Sequence, residues 1–177
     1  MSFVPGDVPA YPMPEWVWAD GVVTASAALL RRLHDATVGF TAPDARWRMP
    51  AHEPLEVVCH NDFAPYNLVF RDGTPVGVID FDTCSPGPRV WDLAYLAYRV
   101  VPLTAAGNPD APATSDAERS RRLALLCDAY GAPVSPAAVV AMLPPRLEEL
   151  RAFTLERGLA RDAAIYAADA AYARARR

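Results

Sequence analysis

The sequence contains no lysine, and all 17 of its basic residues are arginine. A chain without a side-chain amine cannot form a Schiff base, and it cannot supply the lysine that binds nucleotide phosphates in P-loop and kinase sites. A mechanism that needs such a lysine therefore cannot be completed by this chain alone.

Cysteine and long apolar runs are also scarce. Cys59, Cys84 and Cys127 are odd in number and widely spaced, without a C-x-x-C pair, so they predict buried free thiols in a reducing compartment. The first 14 residues lack the charged and apolar regions of a signal peptide. No run reaches the roughly 18 apolar residues of a membrane span. We expect a cytoplasmic protein that makes no contact with membranes.

The charge balance excludes one class of partner. The 17 basic residues stand against 21 acidic residues, and the arginines are scattered instead of forming a block. Because binding to a phosphate backbone needs a concentrated basic face, we do not expect nucleic acid as a partner. A length of 177 residues with 52% hydrophobic residues fits one domain.

Apolar spacing and turn residues predict an α+β fold that is mainly helical. Short β-branched runs predict strands at 57–59, 68–70 and 76–79, and Asp72-Gly73 is a turn signal that makes the last two a hairpin. The apolar spacing predicts helices at 20–38, 93–100, 115–130, 135–143, 146–157 and 159–174.

Capping residues and prolines predict where these elements begin and end. Ser115 and Ser135 are expected to cap the helices that follow them. Pro144-Pro145 is expected to end the second of these helices, because proline removes a backbone donor. Residues 102–114 predict a surface loop, and the prolines of residues 1–19 predict an irregular lead-in.

The chemistry-bearing residues lie between residues 60 and 92. His60 to Asn67 reads H-x-D-x-x-x-x-N, and Asp80 follows Asn67 by 13 residues at the end of the hairpin. A hairpin returns the end of its second strand to the start of its first, so Asn67 and Asp80 are expected to converge. Amide and carboxylate oxygens suit Mg²⁺, and Asp62 can accept a proton from a hydroxyl nucleophile.

These residues carry a resemblance to a known family. The catalytic-loop pattern at 60–67, the segment 76–94 with its Asp-Leu-Ala triplet at 92–94, and the helix end at 29–37 resemble the aminoglycoside phosphotransferase and choline kinase-like family. That family has a protein-kinase-like fold. The resemblance covers its C-terminal lobe only, so we expect residues 20–177 to form that lobe, and residues 1–19 to be similar to the hinge before it.

The resemblance implies roles for five residues. It implies that Asp62 is the catalytic base, that Asn67 takes part in catalysis and binds the metal with Asp80, and that His60 and Asp92 support the catalytic loop. ATP and Mg²⁺ are the implied cofactors, while nucleotide-binding residues are not assigned. The implied reaction is phosphorylation of a hydroxyl group on an aminoglycoside-like or amino-alcohol small molecule.

The sequence departs from the family in lacking the N-terminal lobe and its phosphate-binding lysine. Removing preorganised charge from such a site costs about 2.7 to 4 kcal/mol per donor, so we expect the isolated chain to be weak or inactive as a phosphotransferase. A second copy or a partner chain is a further expectation, because the face of the missing lobe would expose apolar surface.

Two other readings stay open from the residues alone. Residues 76–83 also resemble the first motif of haloacid dehalogenase-like phosphatases, in which Asp80 would be the nucleophile and Asp82 an acid/base. The chain could instead be a non-catalytic lobe that binds a cationic small molecule through an acidic cleft, or that docks a partner on the surface where the missing lobe would sit. Asp82 is either a second metal carboxylate or an arginine-paired surface residue, and His34 and His52 are expected to be structural.

Overall fold

The computed structural model describes residues 3–40, 42, 44–131 and 134–176. The expected lead-in includes residues 1–2, and the expected lobe includes residue 177. These residues lie outside the described ones. The described helices are α1 (Asp20–Ala36), α2 (Arg89–Val100), α3 (Asp116–Tyr130), α4 (Pro136–Glu156) and α5 (Ala160–Arg174). The described strands are β1 (Val57–Cys59), β2 (Leu68–Arg71), β3 (Thr74–Val78) and β4 (Ser85–Gly87). The expectation of a mainly helical α+β fold is confirmed.

The β2–β3 hairpin is antiparallel and places Leu68 opposite Val78. Its turn residues Asp72 and Gly73 both have a positive φ, of 50° and 72°. This backbone matches the right-handed twist of the two strands, which is why Asp-Gly is favoured at such a turn. The predicted hairpin is confirmed.

Strand β4 was not among the predicted strands. It pairs antiparallel with β1, placing Cys59 opposite Ser85 and Val57 opposite Gly87. The sequence Ser-Pro-Gly has low strand propensity, so only its pairing with β1 makes it a strand. The described sheet structure therefore consists of two separate antiparallel pairs.

The expectation that Pro144-Pro145 ends a helix is wrong. Helix α4 continues through both prolines to Glu156. Each proline removes a backbone donor at a cost of about 3 kcal/mol, but Leu143 and Leu147 are fully buried beside Tyr95 of α2. This packing on both sides of the prolines holds the segment helical.

The predicted helix starts are confirmed at both serines. The Ser115 hydroxyl accepts a hydrogen bond from the backbone N–H of Glu118, and the Ser135 hydroxyl accepts one from Ala138. Each bond satisfies a donor that the first turn of a helix leaves without a partner. Residues 102–114, the predicted loop, contain no helix or strand.

Two apolar clusters build the core on either side of α2. The first joins α1, α2 and α3 to the hairpin and includes Leu30, Phe63, Leu68, Leu96 and Leu126. The second joins α2 to α4 and α5 and includes Ala64, Tyr98, Leu147 and Ala170. Because residues 63 and 64 belong to different clusters, the loop between β1 and β2 is fixed from both sides.

The lead-in lies along the hairpin. Asp7 and Phe70 exchange two backbone hydrogen bonds of 2.8 and 2.7 Å. A Cβ atom at Gly6 would lie 2.4 Å from the Phe70 carbonyl oxygen, so only glycine allows this approach. No helix within the described ranges is both long and apolar enough to cross a bilayer.

Candidate functional site

The loop that follows β1 is held by a buried carboxylate of helix α2. Asp92 accepts hydrogen bonds from the backbone N–H groups of His60, at 2.6 Å, and of Asn61, at 2.8 Å. Its side chain is fully buried. The Asn61 backbone has a φ of 64°, a left-handed conformation that asparagine tolerates better than most residues. Asp92 thus fixes the start of the H-x-D-x-x-x-x-N segment.

A chain of hydrogen bonds from the surface reaches this carboxylate. The Tyr130 hydroxyl lies 2.7 Å from His34 Nδ1, and His34 Nε2 lies 3.2 Å from Asp92 Oδ2. Arg89 donates to the same hydroxyl at 3.4 Å. Since the carboxylate can only accept, His34 Nε2 carries the proton and Nδ1 accepts from Tyr130. The prediction that His34 is structural is confirmed, and its role is to hold Asp92.

The environment of Asp92 keeps it ionised. Burial acts to raise its pKa, but the hydrogen bond from His34 and further interactions with His34 and His60 outweigh burial, and the pKa lies below its ordinary value. The carboxylate is therefore available to accept both backbone hydrogen bonds across the neutral range.

His60 connects the loop to the segment after the hairpin. Its Nδ1 accepts a bond from the backbone N–H of Asp62 at 3.3 Å, and its Nε2 donates to the carbonyl of Ile79 at 2.9 Å. Ile79 directly precedes Asp80. One buried imidazole thus fixes the relative positions of the two acidic segments.

The side chain of Asp62 is oriented by two neighbours on the same loop. Tyr66 donates to its Oδ1 at 2.6 Å, and Asn67 Nδ2 donates to its Oδ2 at 2.9 Å. Burial raises the pKa of Tyr66 well above its ordinary value, so the hydroxyl keeps the proton that it donates. The carboxylate is held in one orientation beside Asn67.

Asn67 and Asp80 meet at the open end of the hairpin, as the sequence predicts. The Ile79 N–H donates to the Asn67 carbonyl at 3.0 Å, which aligns Asn67 with the residue before Asp80. Asp80 has a φ of 61° and an exposed side chain. This left-handed turn is a strained backbone feature of the kind that clusters at functional sites.

The donor set at this position fits a hard cation. The Asn67 amide nitrogen is committed to Asp62, which leaves its Oδ1 free of any hydrogen bond from a described residue. The Asp80 carboxylate has no ion pair among the residues that the structure describes. Mg²⁺ prefers one or two such oxygens, completed by phosphate and water.

Asp82 lies outside this arrangement. It is 77% exposed, and its carboxylate lies 3.5 Å from Arg48. Of the two alternatives, the structure shows the arginine-paired surface residue.

Within the described residues, one buried cluster consists of residue types that can bind a metal ion. Its members are His34, Cys59 and Asp92. Both oxygens of Asp92 already accept backbone hydrogen bonds, and His34 already has a partner on each nitrogen. Burial raises the pKa of the Cys59 thiol well above its ordinary value, whereas metal ligation needs the thiolate. This cluster serves to support the loop.

The cysteine prediction is correct for two of the three residues. All three are free thiols, and Cys59 and Cys127 are buried. Cys84 is only half-buried, because it lies in the turn between Asp80 and β4.

A cavity of about 400 Å³ adjoins the loop on its α5 side. Tyr66 lines it and shares its hydroxyl with Asp62 and, at 2.7 Å, with Tyr95. Arg99 also lines the cavity and donates to the Tyr95 hydroxyl at 3.0 Å. A continuous set of hydrogen bonds thus joins Arg99 to Asp62.

Sequence reasoning missed four residues of this site. His34, Tyr66, Arg99 and Arg146 received no role in the site. His34 holds Asp92, and the other three contact the loop or the cavity. Arg146 is fully buried and donates to the Asn61 carbonyl. In the sequence, Arg99 and Arg146 show only as charged residues within an otherwise apolar helix face. The sequence does not tell such a residue from a surface arginine, because the difference is its burial in the fold.

Comparisons with known proteins agree with this geometry. The family model described as phosphotransferase enzyme family matches residues 25–125, more than half of the chain. The trifolitoxin immunity protein of Rhizobium leguminosarum bv. trifolii is 36% identical over 91 residues, which make up 49% of this chain and 33% of that protein. The match therefore spans about a third of the length of that relative.

Proposed function

Because this chain belongs to the phosphotransferase enzyme family, we propose that it carries the base and metal-binding parts of a site that phosphorylates a small-molecule hydroxyl group with ATP and Mg²⁺. The observation that carries the proposal is the position of Asn67. Its amide nitrogen holds Asp62, and its backbone pairs with the residue before Asp80.

Asp62 is the proposed base. Its two oxygens are oriented by Tyr66 and Asn67, so the carboxylate is placed before a substrate binds. Such preorganisation allows it to accept the proton of the attacking hydroxyl without a costly rearrangement. Asp92 and His60 act as positioning residues, because they accept hydrogen bonds from the backbone N–H groups of residues 60 to 62 that lead to this carboxylate.

Asn67 Oδ1 and the Asp80 carboxylate are the proposed ligands of Mg²⁺. These two groups would hold the ion, which would supply positive charge to offset the charge that develops on the phosphate oxygens of the nucleotide. The chain's own contribution is the fixed amide of Asn67 and the turn that presents Asp80 to solvent.

We further propose that the described residues form a kinase-like C-terminal lobe. A mainly helical unit with a hairpin that carries the metal ligands supports this assignment. The lysine that would bind nucleotide phosphates must then come from outside these 177 residues. Phe3, Val76 and Phe81 are large apolar side chains exposed on the lead-in and around β3, and a further chain segment or partner would cover them.

The substrate class is a separate part of the proposal. A small molecule with a hydroxyl acceptor is the class that the family resemblance implies, with aminoglycoside-like and amino-alcohol compounds as first candidates. The relative matched here is named for immunity to trifolitoxin. Phosphorylation of a toxin is one chemistry that would give immunity, so toxic small molecules belong among the substrates to test.

The alternative of a haloacid dehalogenase-like phosphatase finds no support in the fold. That family needs an alternating α/β domain after its first motif, whereas the described strands form two antiparallel pairs and α2 to α5 follow without a further strand. The non-catalytic module remains the alternative that the following experiment decides.

The experiment uses Mn²⁺ in place of Mg²⁺ with ATP and follows paramagnetic broadening of backbone amide signals. We expect signals of Asn67 and Ile79 to broaden first, and the effect to be lost in Asp80→Ala. Asp82→Ala removes the same charge two residues away and is the matched control, which should broaden like the native chain. If no signal of the native chain broadens, or if both variants lose the broadening equally, the non-catalytic module is favoured.

A further inference from the structure

The cavity beside the catalytic loop has an unusual floor. The guanidinium of Arg99 lies between 5.0 and 6.0 Å from the ring centroids of four tyrosines, Tyr66, Tyr95, Tyr98 and Tyr166. Only about a tenth of its side chain is exposed. An aromatic cage of this kind is a binding site for ligand cations such as quaternary ammonium groups. Here the chain's own arginine occupies it.

The charge of Arg99 is poorly neutralised by the protein. Its three short hydrogen bonds go to the hydroxyl groups of Tyr11, Tyr95 and Tyr166. The nearest carboxylate that pairs with it, Asp110, is 3.8 Å away and more than a third exposed. A buried cation held by neutral oxygens is costly unless a further anion comes close.

The guanidinium also keeps donors for a ligand. Arginine has five N–H groups, and the three hydrogen bonds use one on each nitrogen. One N–H therefore remains on each terminal nitrogen, with the Asp110 carboxylate 3.8 Å from Nη1, and such N–H groups can donate to a ligand carboxylate.

Two acidic side chains also line the cavity, and their charges oppose that of Arg99. Asp110 and Asp162 are both accessible to solvent, so water screens their charges. Arg99 is enclosed by aromatic rings, where the effective dielectric is lower and a charge interaction is stronger. The charge of Arg99 is therefore the strongest of these charges, and it favours an anionic group on the ligand.

We propose that this cavity binds a hydroxyl compound that carries a carboxylate, with the carboxylate on Arg99 and a hydroxyl against Tyr66, whose own hydroxyl donates to Asp62. The inference rests on the proposed function for the role of Asp62, and it replaces the simple amino alcohol with an anionic acceptor. The cavity of about 400 Å³ accommodates a compound of several carbon atoms.

The test is a comparison of three six-carbon polyols that differ at one end: gluconate with a carboxylate, sorbitol with a hydroxyl, and glucamine with an amine. Binding to the native chain is measured by titration of backbone amide chemical shifts. We expect gluconate to bind about tenfold tighter than sorbitol, because one end gains charge-assisted hydrogen bonds, and glucamine to bind weaker than gluconate. Shifts should centre on the signals of residues 66, 95 and 99.

Two variants locate the effect. Arg99→Gln should reduce the affinity for gluconate to that for sorbitol. Arg161→Gln removes a charge from α5 outside this cavity, and it should leave the affinities for gluconate and sorbitol unchanged. If Arg99→Gln does not fold, Tyr166→Phe replaces it, and gluconate should still lose affinity because the guanidinium is less fixed. The order of the three affinities in the native chain also tests the proposal, and it needs no variant.

The outcomes separate this inference from the proposed function. Glucamine binding tighter than gluconate, or no binding of any of the three, would overturn the assignment of the cavity. Gluconate binding that depends on Arg99 in a chain that does not bind Mn²⁺ and ATP would uphold the cavity while the phosphotransferase proposal fails.

Discussion

The Asp92 carboxylate accepts a 2.6 Å hydrogen bond from the backbone N–H of His60, which lies 32 residues earlier in the chain. This contact joins the end of the first turn of α2 to the start of the loop that carries Asp62. It is the link through which the helical core determines the geometry of the candidate site.

Replacing Asp92 should therefore affect stability more than an ordinary acidic residue does. In Asp92→Asn the amide cannot accept from both backbone N–H groups and His34 as the carboxylate does, and we expect the free energy of unfolding to fall by about 3 to 5 kcal/mol. Asp128→Asn, on the exposed face of α3, should change it by less than about 0.5 kcal/mol. Urea denaturation measures both, and an equal, small effect would contradict the buried anchor.

The same residue predicts a pH dependence. The folded-state pKa of Asp92 lies below its ordinary value, so its contribution to stability is complete above about pH 4 and is lost as the pH falls through the folded-state pKa. The difference in unfolding free energy between the native chain and Asp92→Asn should thus be constant near neutrality and shrink in acid. A difference that grows in acid would contradict this sign.

The three thiols should react in an order set by exposure and burial. Burial raises the pKa of Cys127 to about 11 and that of Cys59 well above its ordinary value, while Cys84 is half-buried with a raised pKa. At pH 8 we expect iodoacetamide to label Cys84 first and Cys59 last, with labelling faster at higher pH. Peptide mass spectrometry gives the order, and similar rates for all three in denaturant are the control.

Turnover by the chain alone should be slow. No lysine is present to bind nucleotide phosphates, so transfer from labelled ATP to choline or gluconate should remain far below the rates of roughly 1 to 100 per second that are typical of kinases. A rate within that range would show that these residues complete the site without a further segment.

The relative positions of Asp62, Asn67 and Asp80 could be predicted from the sequence because they depend on local spacing. Asp62, Asn67 and Asp80 are brought together by a short loop and a hairpin whose Asp-Gly turn is evident in the residues themselves. The helix caps at Ser115 and Ser135 are local for the same reason.

The remaining features depend on contacts between distant segments. Helix α4 passes through two prolines because Leu143 and Leu147 pack against α2, and β4 exists only because β1 lies beside it. Arg99 lies among tyrosines of three elements and so shows no sequence spacing of its own. Spacing along the chain carries no information on such contacts.

The most direct test of the central claim, that Asn67 and Asp80 form a metal site for a nucleotide, is a thermal-shift titration with ATP and Mg²⁺. At about 100 times its Kd a ligand stabilises by about 2.7 kcal/mol, and for a domain of this size we predict a rise in Tm of roughly 5 to 10 °C. The rise should vanish in Asp80→Ala and persist in Asp82→Ala. A rise that survives in Asp80→Ala, or no rise in the native chain at millimolar nucleotide, would contradict the account.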